Sequence, residues 1–293
     1  MRQRERIISA LKGRGELWEP APGLVGLSGA TRARLAEINA TLAVRCRAET
    51  QDEWSVPAAL PLGVLERADY FASFPQWLTM ATHLTDDTRK LERIANSACP
   101  SHEAAAWGVT PTVALPPAVC YHIYAALAGT VVGARRIVTA QGGCWRHEGD
   151  RFEPLERGWA FTMREIVCIG TESECVDFRD RGIAVAQSFA AGLHLDSELE
   201  AAEDPFFAPT GRGRALLQRL KGLKQELRLP IGDGDTVAAA SFNLHERFFG
   251  EAFDIRLADG SPAYTACVAF GLERWLLASL VASDAPVLEE VLR

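Results

Sequence analysis

The sequence has no apolar run long enough to cross a membrane and no secretory leader. A membrane-spanning helix needs about 20 mainly apolar residues, whereas the basic N-terminus MRQRERIISALKGRG is only briefly apolar and has no small-residue cleavage site. There is no CxxC pair, and seven scattered cysteines suit reduced thiols, with some available for metal ligation, better than a disulfide framework. These absences predict a cytoplasmic protein with no membrane partner.

Positive charge is also in short supply, because the formal net charge is −7 at pH 7. Proteins that bind nucleic acid usually present a broad basic surface that neutralises phosphates, so the charge balance counts mildly against a tRNA partner, although a local basic patch is compatible with it. Two common phosphate-binding patterns, GxxxxGK[ST] and GxGxxG, do not occur. The sequence therefore gives no support to an ATP site of the P-loop or Rossmann type.

What is present is ample material for a core, since 48% of the 293 residues are hydrophobic. Leu35, Ile38 and Leu42 recur at helical spacing, and a second helical pattern starting at Leu62 stops at Pro75. From about residue 107 onward, short apolar runs alternate with turn residues, as is typical of antiparallel strands. We therefore predict an α+β fold with helices flanking an antiparallel sheet.

One segment departs from the acidic character of the chain. Residues 211–230, GRGRALLQRLKGLKQELRLP, hold leucines at the spacing of a narrow helical stripe. Glu226 is the one carboxylate among six basic residues: Arg212, Arg214, Arg219, Lys221, Lys224 and Arg228. The pattern predicts a basic helix, which is either a solvated helix face or a docking site for an acidic partner.

A second segment, CWRHEGDRFEPLERGWAF at 144–161, has the pattern of a hairpin that collects polar side chains. Alternation places Arg146 and Glu148 on one face of a strand, and the return strand would bring Arg157 and Phe161 beside them. A surface hairpin with scattered ion pairs is the alternative interpretation.

Together with GLER at 271–274, this hairpin resembles the catalytic domain of class II aminoacyl-tRNA synthetases. WRHE at 145–148 and RGWAF at 157–161 match both halves of the family's second motif, and GLER matches its third. The resemblance implies that Arg146 and Arg274 are catalytic and that ATP is bound with Mg²⁺. Bidentate arginines suit phosphate oxygens better than lysines do. The implied nucleotide contacts are Arg146 to the α-phosphate, Glu148 to the adenine amino group, Arg157 to the terminal phosphates, Phe161 stacked on adenine, Ser241 in the pocket lining and Arg274 at the far end of the nucleotide.

Three further residues resemble the zinc ligands of atypical seryl-tRNA synthetases and of their truncated relatives, the amino acid:carrier protein ligases. They are Cys120, Glu165 and Cys267, and in that family the open fourth position takes the substrate's α-amino group. Spacing by itself favours ordinary core positions, because a buried free cysteine usually behaves as a small hydrophobic residue. Val237 stands where ordinary seryl-tRNA synthetases carry a magnesium-binding glutamate, which leaves the Mg²⁺ ligand unidentified.

The N-terminal region decides between these relatives. About a hundred residues with Gly- and Pro-rich breaks precede the resembling region, so we expect no room for a long helical tRNA-binding arm. The resemblance then implies transfer of glycine or alanine from its adenylate to the phosphopantetheine thiol of an acidic carrier protein. We expect residues 1–55 to form an N-terminal helical extension packed on the core, and residues 56–293 to form the catalytic domain with a basic helical insertion at about 205–232.

Partners follow from the same resemblance. The carrier is expected to dock on the basic helix near Arg219, Lys221 and Lys224, and a homodimer is expected to form through the segment FPQWLTM at 74–80, taken as the family's first motif. Two other functions stay open: a seryl-type enzyme that charges tRNA, and a catalytically silent paralogue that binds an amino acid or a nucleotide.

Overall fold

A seven-stranded sheet organises the protein, which is described by a computed structural model over residues 2–47, 51–207 and 218–283. Neighbouring strands are antiparallel except for one parallel pair at an edge. In spatial order the strands are β10 (Glu198–Ala201), β11 (Lys224–Pro230), β12 (Thr236–Glu246), β14 (Tyr264–Gly271), β9 (Ala160–Gly170), β8 (Arg136–Trp145) and β3 (Gln51–Ser55).

Short strands form three small sheets beside the central one. These are β1 (Leu17–Ala21) with β2 (Leu24–Leu27), β4 (Leu60–Pro61) with β6 (Val113–Ala114) and β5 (Met80–Ala81), and β7 (Val131–Val132) with β13 (Arg256–Leu257). The helices that lie wholly within the described residues are α1 (Gln3–Gly13), α2 (Gly29–Arg45), α3 (Leu62–Arg67), α4 (Tyr70–Ser73), α5 (Thr88–Ala95), α6 (Pro100–Ala105), α7 (Cys120–Ala126), α8 (Glu172–Gly192), α9 (Phe248–Phe253) and α10 (Leu272–Ala282), with a 3₁₀ turn at Pro75–Trp77. None of them is long and apolar enough to span a membrane.

The alternation of side chains along the strands separates two apolar cores. In β14, Val268 and Phe270 belong to the core that is shared with helices α8 and α10, whereas Cys267 and Ala269 belong to the core on the opposite face, which includes α7. This second face carries the polar residues described below. The predicted α+β fold with helices flanking an antiparallel sheet is confirmed.

The predicted basic helix at 211–230 is wrong from residue 224 onward. Lys224–Pro230 is strand β11, hydrogen-bonded to β10 on one side and to β12 on the other. Leu227 and Leu229 are both buried, as expected for one face of a strand, because side chains in a strand repeat every two residues. Residues 218–220 are helical, and the predicted helix over 211–217 lies outside the described residues.

The segment 74–80 does not lie in the central sheet, since Pro75–Trp77 is a 3₁₀ turn and Met80 begins strand β5 of a small sheet. Its assignment as the first motif stays a prediction. The helical pattern before it breaks at Asp69, whose φ is +54°, and Pro75 begins a 3₁₀ turn. Phe74 and Trp77 stack on each other with ring centroids 5.4 Å apart. The strand at one edge of the central sheet is β3, which follows α2 and pairs in parallel with β8.

The predicted N-terminal extension contains strands as well as helices. Helices α1 and α2 pack on α10, the β1–β2 hairpin lies between them in the chain, and β3 adds to the central sheet. The boundary at residue 55, which falls at the end of β3, stays a prediction.

Candidate active site

Three residues that could bind one metal ion meet on the second face of the sheet. Cys120 begins α7, Glu165 lies in the middle of β9, and Cys267 lies in the neighbouring strand β14. One ligand atom from each residue lies within 4.8 Å of the others, and all three residues are buried. The structure thus brings together the three residues of the predicted metal site.

The Glu165 carboxylate is fixed by the backbone of the loop before α7. Its Oε1 accepts a hydrogen bond from the N–H of Val119 at 2.8 Å, and its Oε2 accepts one from the N–H of Cys120 at 3.0 Å. The Cys267 thiol lies 3.3 Å from the same Oε2. A buried carboxylate needs such partners, because burial without them would cost several kcal/mol.

The chemistry of this group fits a divalent cation. The adjacent Cys120 thiol, burial and the Glu165 carboxylate raise the pKa of Cys267 well above its usual value. A hydrogen bond with Cys267 lowers the pKa of Cys120, but burial and Glu165 outweigh it and leave that pKa raised. A bound cation would favour the thiolate forms. Two sulfurs and one carboxylate oxygen fit zinc, and three protein ligands leave a fourth position for substrate.

Arg146 lies beside this group and is held by the same loop. Its Nε donates to the carbonyl of Pro117 at 2.8 Å. Its guanidinium carbon lies 5.4 Å from the Phe161 ring centroid and 6.0 Å from that of Trp77, both within the range of a cation–π contact. Residues 117–120 therefore contact the arginine through a carbonyl and the Glu165 carboxylate through two N–H groups.

The remaining second-motif residues lie at the end of the hairpin. Glu148 follows the end of β8, and its N–H donates to the carbonyl of Arg146 at 3.0 Å. Arg157 is exposed in a tight loop in which Glu153 and Arg157 exchange two backbone hydrogen bonds of 2.9 and 2.8 Å. The predicted pairing of strands across this hairpin is present, with Phe161 opposite Cys144.

Arg274 lies at the start of α10, and two backbone carbonyl groups from other segments position its side chain. Its Nε donates to Glu156 and its Nη1 to Ala238, both at 2.8 Å. Burial lowers the pKa of Arg274, and the carboxylate of Glu148 opposes this shift. Arg274 thus connects the third-motif helix to the second-motif loop and to β12.

Ser241 lies on β12 in a cross-strand row with Ala269 and, on the other side, Glu226. Its hydroxyl accepts a hydrogen bond from the Asn243 side chain at 3.2 Å. Val237 is buried in the apolar core, so this position offers no oxygen ligand for Mg²⁺.

Lys224 does not lie on an exposed docking surface, and its assignment there is wrong. The residue is 9% exposed, and its Nζ pairs with Asp204 at 2.6 Å and with Glu226 at 3.0 Å. In the sheet it stands opposite Asn243, which stands opposite Cys267. Lys224 therefore belongs to the row of residues that contains a metal-site cysteine.

Asp204 is not among the site residues predicted from the sequence, because no motif or spacing points to it. Burial raises the pKa of Asp204, but the ammonium of Lys224 and the amide of Gln218 outweigh burial and hold this pKa below its usual value. Asp204 is thus paired with a lysine that lies in the cross-strand row of Cys267.

Glu273 is a second residue without an assigned role, although it lies within GLER. Both carboxylate oxygens accept the backbone N–H of Thr162 at 2.9 Å. Burial raises the pKa of Glu273. The contact joins the third motif to the strand that carries Phe161 and Glu165.

Comparison with known proteins identifies relatives of this chain, although no protein-family model matches it. Amino acid–acyl-carrier-protein ligase 1 of Bradyrhizobium diazoefficiens is 35% identical over 229 residues, which are 76% of this chain and 68% of the relative. Ligase 2 of the same organism is 34% identical over 265 residues, which are 88% and 77% of the two chains. A type-2 serine–tRNA ligase of Methanothermobacter thermautotrophicus is 27% identical over 236 residues, covering 75% of this chain and 45% of that protein.

Solved structures agree on the fold. The seryl-tRNA synthetase of M. kandleri, crystallised with tRNASec of A. aeolicus, has a TM-score of 0.83 at 20% identity and matches 94% of this chain and 56% of its own. Prolyl-tRNA synthetase of Giardia lamblia, solved with prolyl-adenylate, has a TM-score of 0.70 at 12% identity and matches 95% of this chain and 52% of its own. The fold is that of a class II aminoacyl-tRNA synthetase catalytic domain, and the chain belongs to the family of amino acid–acyl-carrier-protein ligases.

Proposed function

We propose that the protein uses ATP to activate a small amino acid, glycine or alanine, as its adenylate and then transfers the aminoacyl group to the phosphopantetheine thiol of a carrier protein, with release of AMP. The observation that carries this proposal is the shared loop at 117–120, which contacts Arg146 through one carbonyl and the Glu165 carboxylate through two N–H groups. A group that could hold an amino acid is thereby fixed beside a cation that could hold a phosphate.

In the first step a carboxylate oxygen of the amino acid attacks the α-phosphorus of ATP, and pyrophosphate leaves. Fixed cations are required where negative charge gathers on the phosphate oxygens. Arg146 would bind the α-phosphate, Arg157 the terminal phosphates and Arg274 the far end of the nucleotide. Phe161 would stack on adenine and Glu148 would accept a hydrogen bond from its amino group, with Mg²⁺ bound to the phosphates.

Cys120, Glu165 and Cys267 would hold zinc, which when bound supplies a fourth coordination position for the α-amino group of the substrate. The chain's own contribution is to keep these three side chains in place through the loop at 117–120. Because the same loop also holds Arg146, an amino acid bound at this site would have its carboxylate close to the α-phosphate that Arg146 would bind.

The charged pair near the metal site favours a small substrate. Lys224 lies two strands from Cys267 in one cross-strand row, so about 10 Å separate the two backbones. Its ion pair with Asp204 would occupy the space that a long substrate side chain needs. The distinction between glycine and alanine is finer, because one methyl group changes binding by about 1–3 kcal/mol.

The acceptor is a carrier protein in this proposal, and the exposed basic residues Arg219 and Lys221 are its docking site. Long-range attraction to an acidic carrier would speed encounter. A homodimer is proposed to form at the β3 edge of the central sheet, where, among the residues that the structure describes, β3 pairs only with β8.

The experiment that tests the function is pyrophosphate exchange with each of the twenty amino acids, with and without a zinc chelator. Exchange restricted to glycine or alanine and lost with the chelator would support adenylation at a zinc site. Transfer from labelled adenylate to a holo carrier, with none to total tRNA, would establish the acceptor. No exchange with any amino acid would favour a silent paralogue, and charging of tRNA would favour a seryl-type enzyme.

A further inference from the structure

The turn of the N-terminal β1–β2 hairpin touches the proposed nucleotide-binding loop, defined here as residues 146–159. The carbonyl of Gly23 accepts the N–H groups of Trp159 and Ala160 at 2.9 and 3.1 Å. Trp159 lies between Arg157 and Phe161, the two residues proposed to bind the terminal phosphates and adenine. A segment far away in sequence thus fixes the return strand where it enters the site.

The contact leaves no space at Gly23. Its φ is +76°, and a Cβ built there would lie 2.7 Å from the Phe152 ring and 2.8 Å from the backbone N of Trp159. Both neighbours belong to the nucleotide-binding loop. Any larger residue at this turn would therefore have to displace the loop.

The tip of the loop is anchored in a strained conformation. Leu155 has a φ of +65°, although bulky residues rarely adopt the left-handed region, and it is 3% exposed within the apolar core that also contains Leu11 and Leu17 of the N-terminal region. Such a conformation persists only where the surrounding packing imposes it. The tip of the loop thus packs in the same apolar core as the N-terminal region, and the Gly23 carbonyl holds its return strand.

Helix α1 makes a third connection, through Glu156. The Nε of Arg4 lies 3.6 Å from a carboxylate oxygen of Glu156, and the carbonyl of the same residue accepts the 2.8 Å hydrogen bond of Arg274 Nε. Arg4 thus acts on a residue that orients the third-motif arginine.

We infer that the N-terminal region is a positioning element of the nucleotide site, in which Gly23 and Arg4 hold the loop so that Arg157 and Arg274 meet the phosphates and the far end of the nucleotide together. The inference rests on the proposed use of ATP. The metal site is held by a different loop, at 117–120, so the N-terminal contacts should act on ATP and leave the amino acid unaffected.

The test compares Gly23→Ala with Gly15→Ala in the full-length protein. Gly15 has a similar φ of +70° but nothing within 4 Å of the position that a Cβ would take, so both variants strain the backbone and only one displaces the loop. In pyrophosphate exchange, Gly23→Ala should raise the KM for ATP by roughly tenfold and leave the KM for the amino acid unchanged. Gly15→Ala should leave both constants at the wild-type values.

A second pair of variants tests the same inference if Gly23→Ala does not fold. Arg4→Gln removes the contact with Glu156 and an ion pair with Asp235, whereas Arg2→Gln removes only an ion pair with Asp235. Arg4→Gln should raise the KM for ATP and Arg2→Gln should not.

Equal ATP constants for Gly23→Ala and Gly15→Ala, or a parallel rise of the constants for ATP and the amino acid, would overturn the inference. A wild-type protein without exchange activity would instead overturn the proposed function, so the two failures are distinguishable.

Discussion

The backbone N–H of Cys120 donates a 3.0 Å hydrogen bond to the carboxylate of Glu165, so two of the three proposed metal-binding residues fix one another. The bond joins the first turn of α7 to the middle of β9 across 45 residues of sequence. The site is thus organised by the protein itself, and its geometry does not depend on the ion alone.

We predict that Glu165→Gln weakens zinc binding by about tenfold or more, because an amide cannot supply the negative charge and one of its two ends is a donor. Cys267→Ser should also lose zinc, because a serine hydroxyl does not supply the thiolate donor that zinc binds. The measurement is zinc content by mass spectrometry of purified protein across a series of chelator concentrations. Cys168→Ala is the matched control, since Cys168 is buried three residues further along β9 and belongs to the opposite core. Wild-type zinc retention in Glu165→Gln would rule out the carboxylate as a ligand.

Glu273 offers a separate test of how the two motifs are joined. Glu273→Ala leaves the N–H of Thr162 without its carboxylate partner, which should reduce the free energy of unfolding by about 1–3 kcal/mol. Glu273→Gln keeps one oxygen acceptor and should lose less. Urea denaturation measures both values. Equal stability of the alanine and wild-type proteins would show that this contact does not support the fold.

The hairpin and the metal site differ in how far the sequence could predict them. Arg146 directly follows β8, and Phe161 lies in β9, the return strand of the same hairpin, so a local sequence pattern was enough to predict that they meet. Cys120, Glu165 and Cys267 are separated by 45 and 102 residues, and no local period connects them. Only the resemblance to a family suggested them, because their meeting depends on the order of strands in the sheet.

The prediction of a helix in the basic segment was wrong for a different physical reason. Leucines at 220, 223 and 227 match a helical repeat, but Leu227 and Leu229 match a repeat of two equally well, and a segment of seven residues is too short for its period to decide. Pairing with strands on both sides decided in favour of β11. The same error placed Lys224 on a surface, although it is buried and paired with Asp204.

His245 gives a prediction for acid pH. Burial lowers its pKa to about 4, outweighing the opposing carboxylate of Asp204, and its Nδ1 lies 3.4 Å from both the Tyr124 hydroxyl and the Thr265 hydroxyl. In the unfolded chain a histidine has a pKa of about 6.5. Between about pH 6.5 and 4 the unfolded state binds the proton more readily, so the stability that is present above this window is lost as the pH falls through it.

We therefore expect the free energy of unfolding of wild type to fall faster than that of His245→Asn between about pH 6.5 and 4, by at most about 1.4 kcal/mol per pH unit. Urea denaturation at a series of pH values measures this difference. His83→Asn, at an exposed histidine, serves as the control and should follow wild type. Parallel curves for wild type and His245→Asn would show that this imidazole does not titrate differently in the folded protein.

Carrier docking is tested by reversing the charge of the exposed basic residues and, in a separate variant, that of the buried Lys224. Arg219 and Lys221 are exposed, so Arg219→Glu with Lys221→Glu should slow transfer to the carrier by about tenfold or more at low salt, with a smaller effect at high salt. Pyrophosphate exchange should be unchanged, because neither residue belongs to the proposed ATP or metal site. Lys224→Glu should instead impair both steps, since it places a third carboxylate beside Asp204 and Glu226.

The matched control is Arg89→Glu with Arg256→Glu, which makes the same change in net charge at exposed positions elsewhere. Transfer that slows equally in the control would mean that the carrier responds to overall charge, and wild-type transfer in the Arg219 and Lys221 variant would place the docking site on another surface.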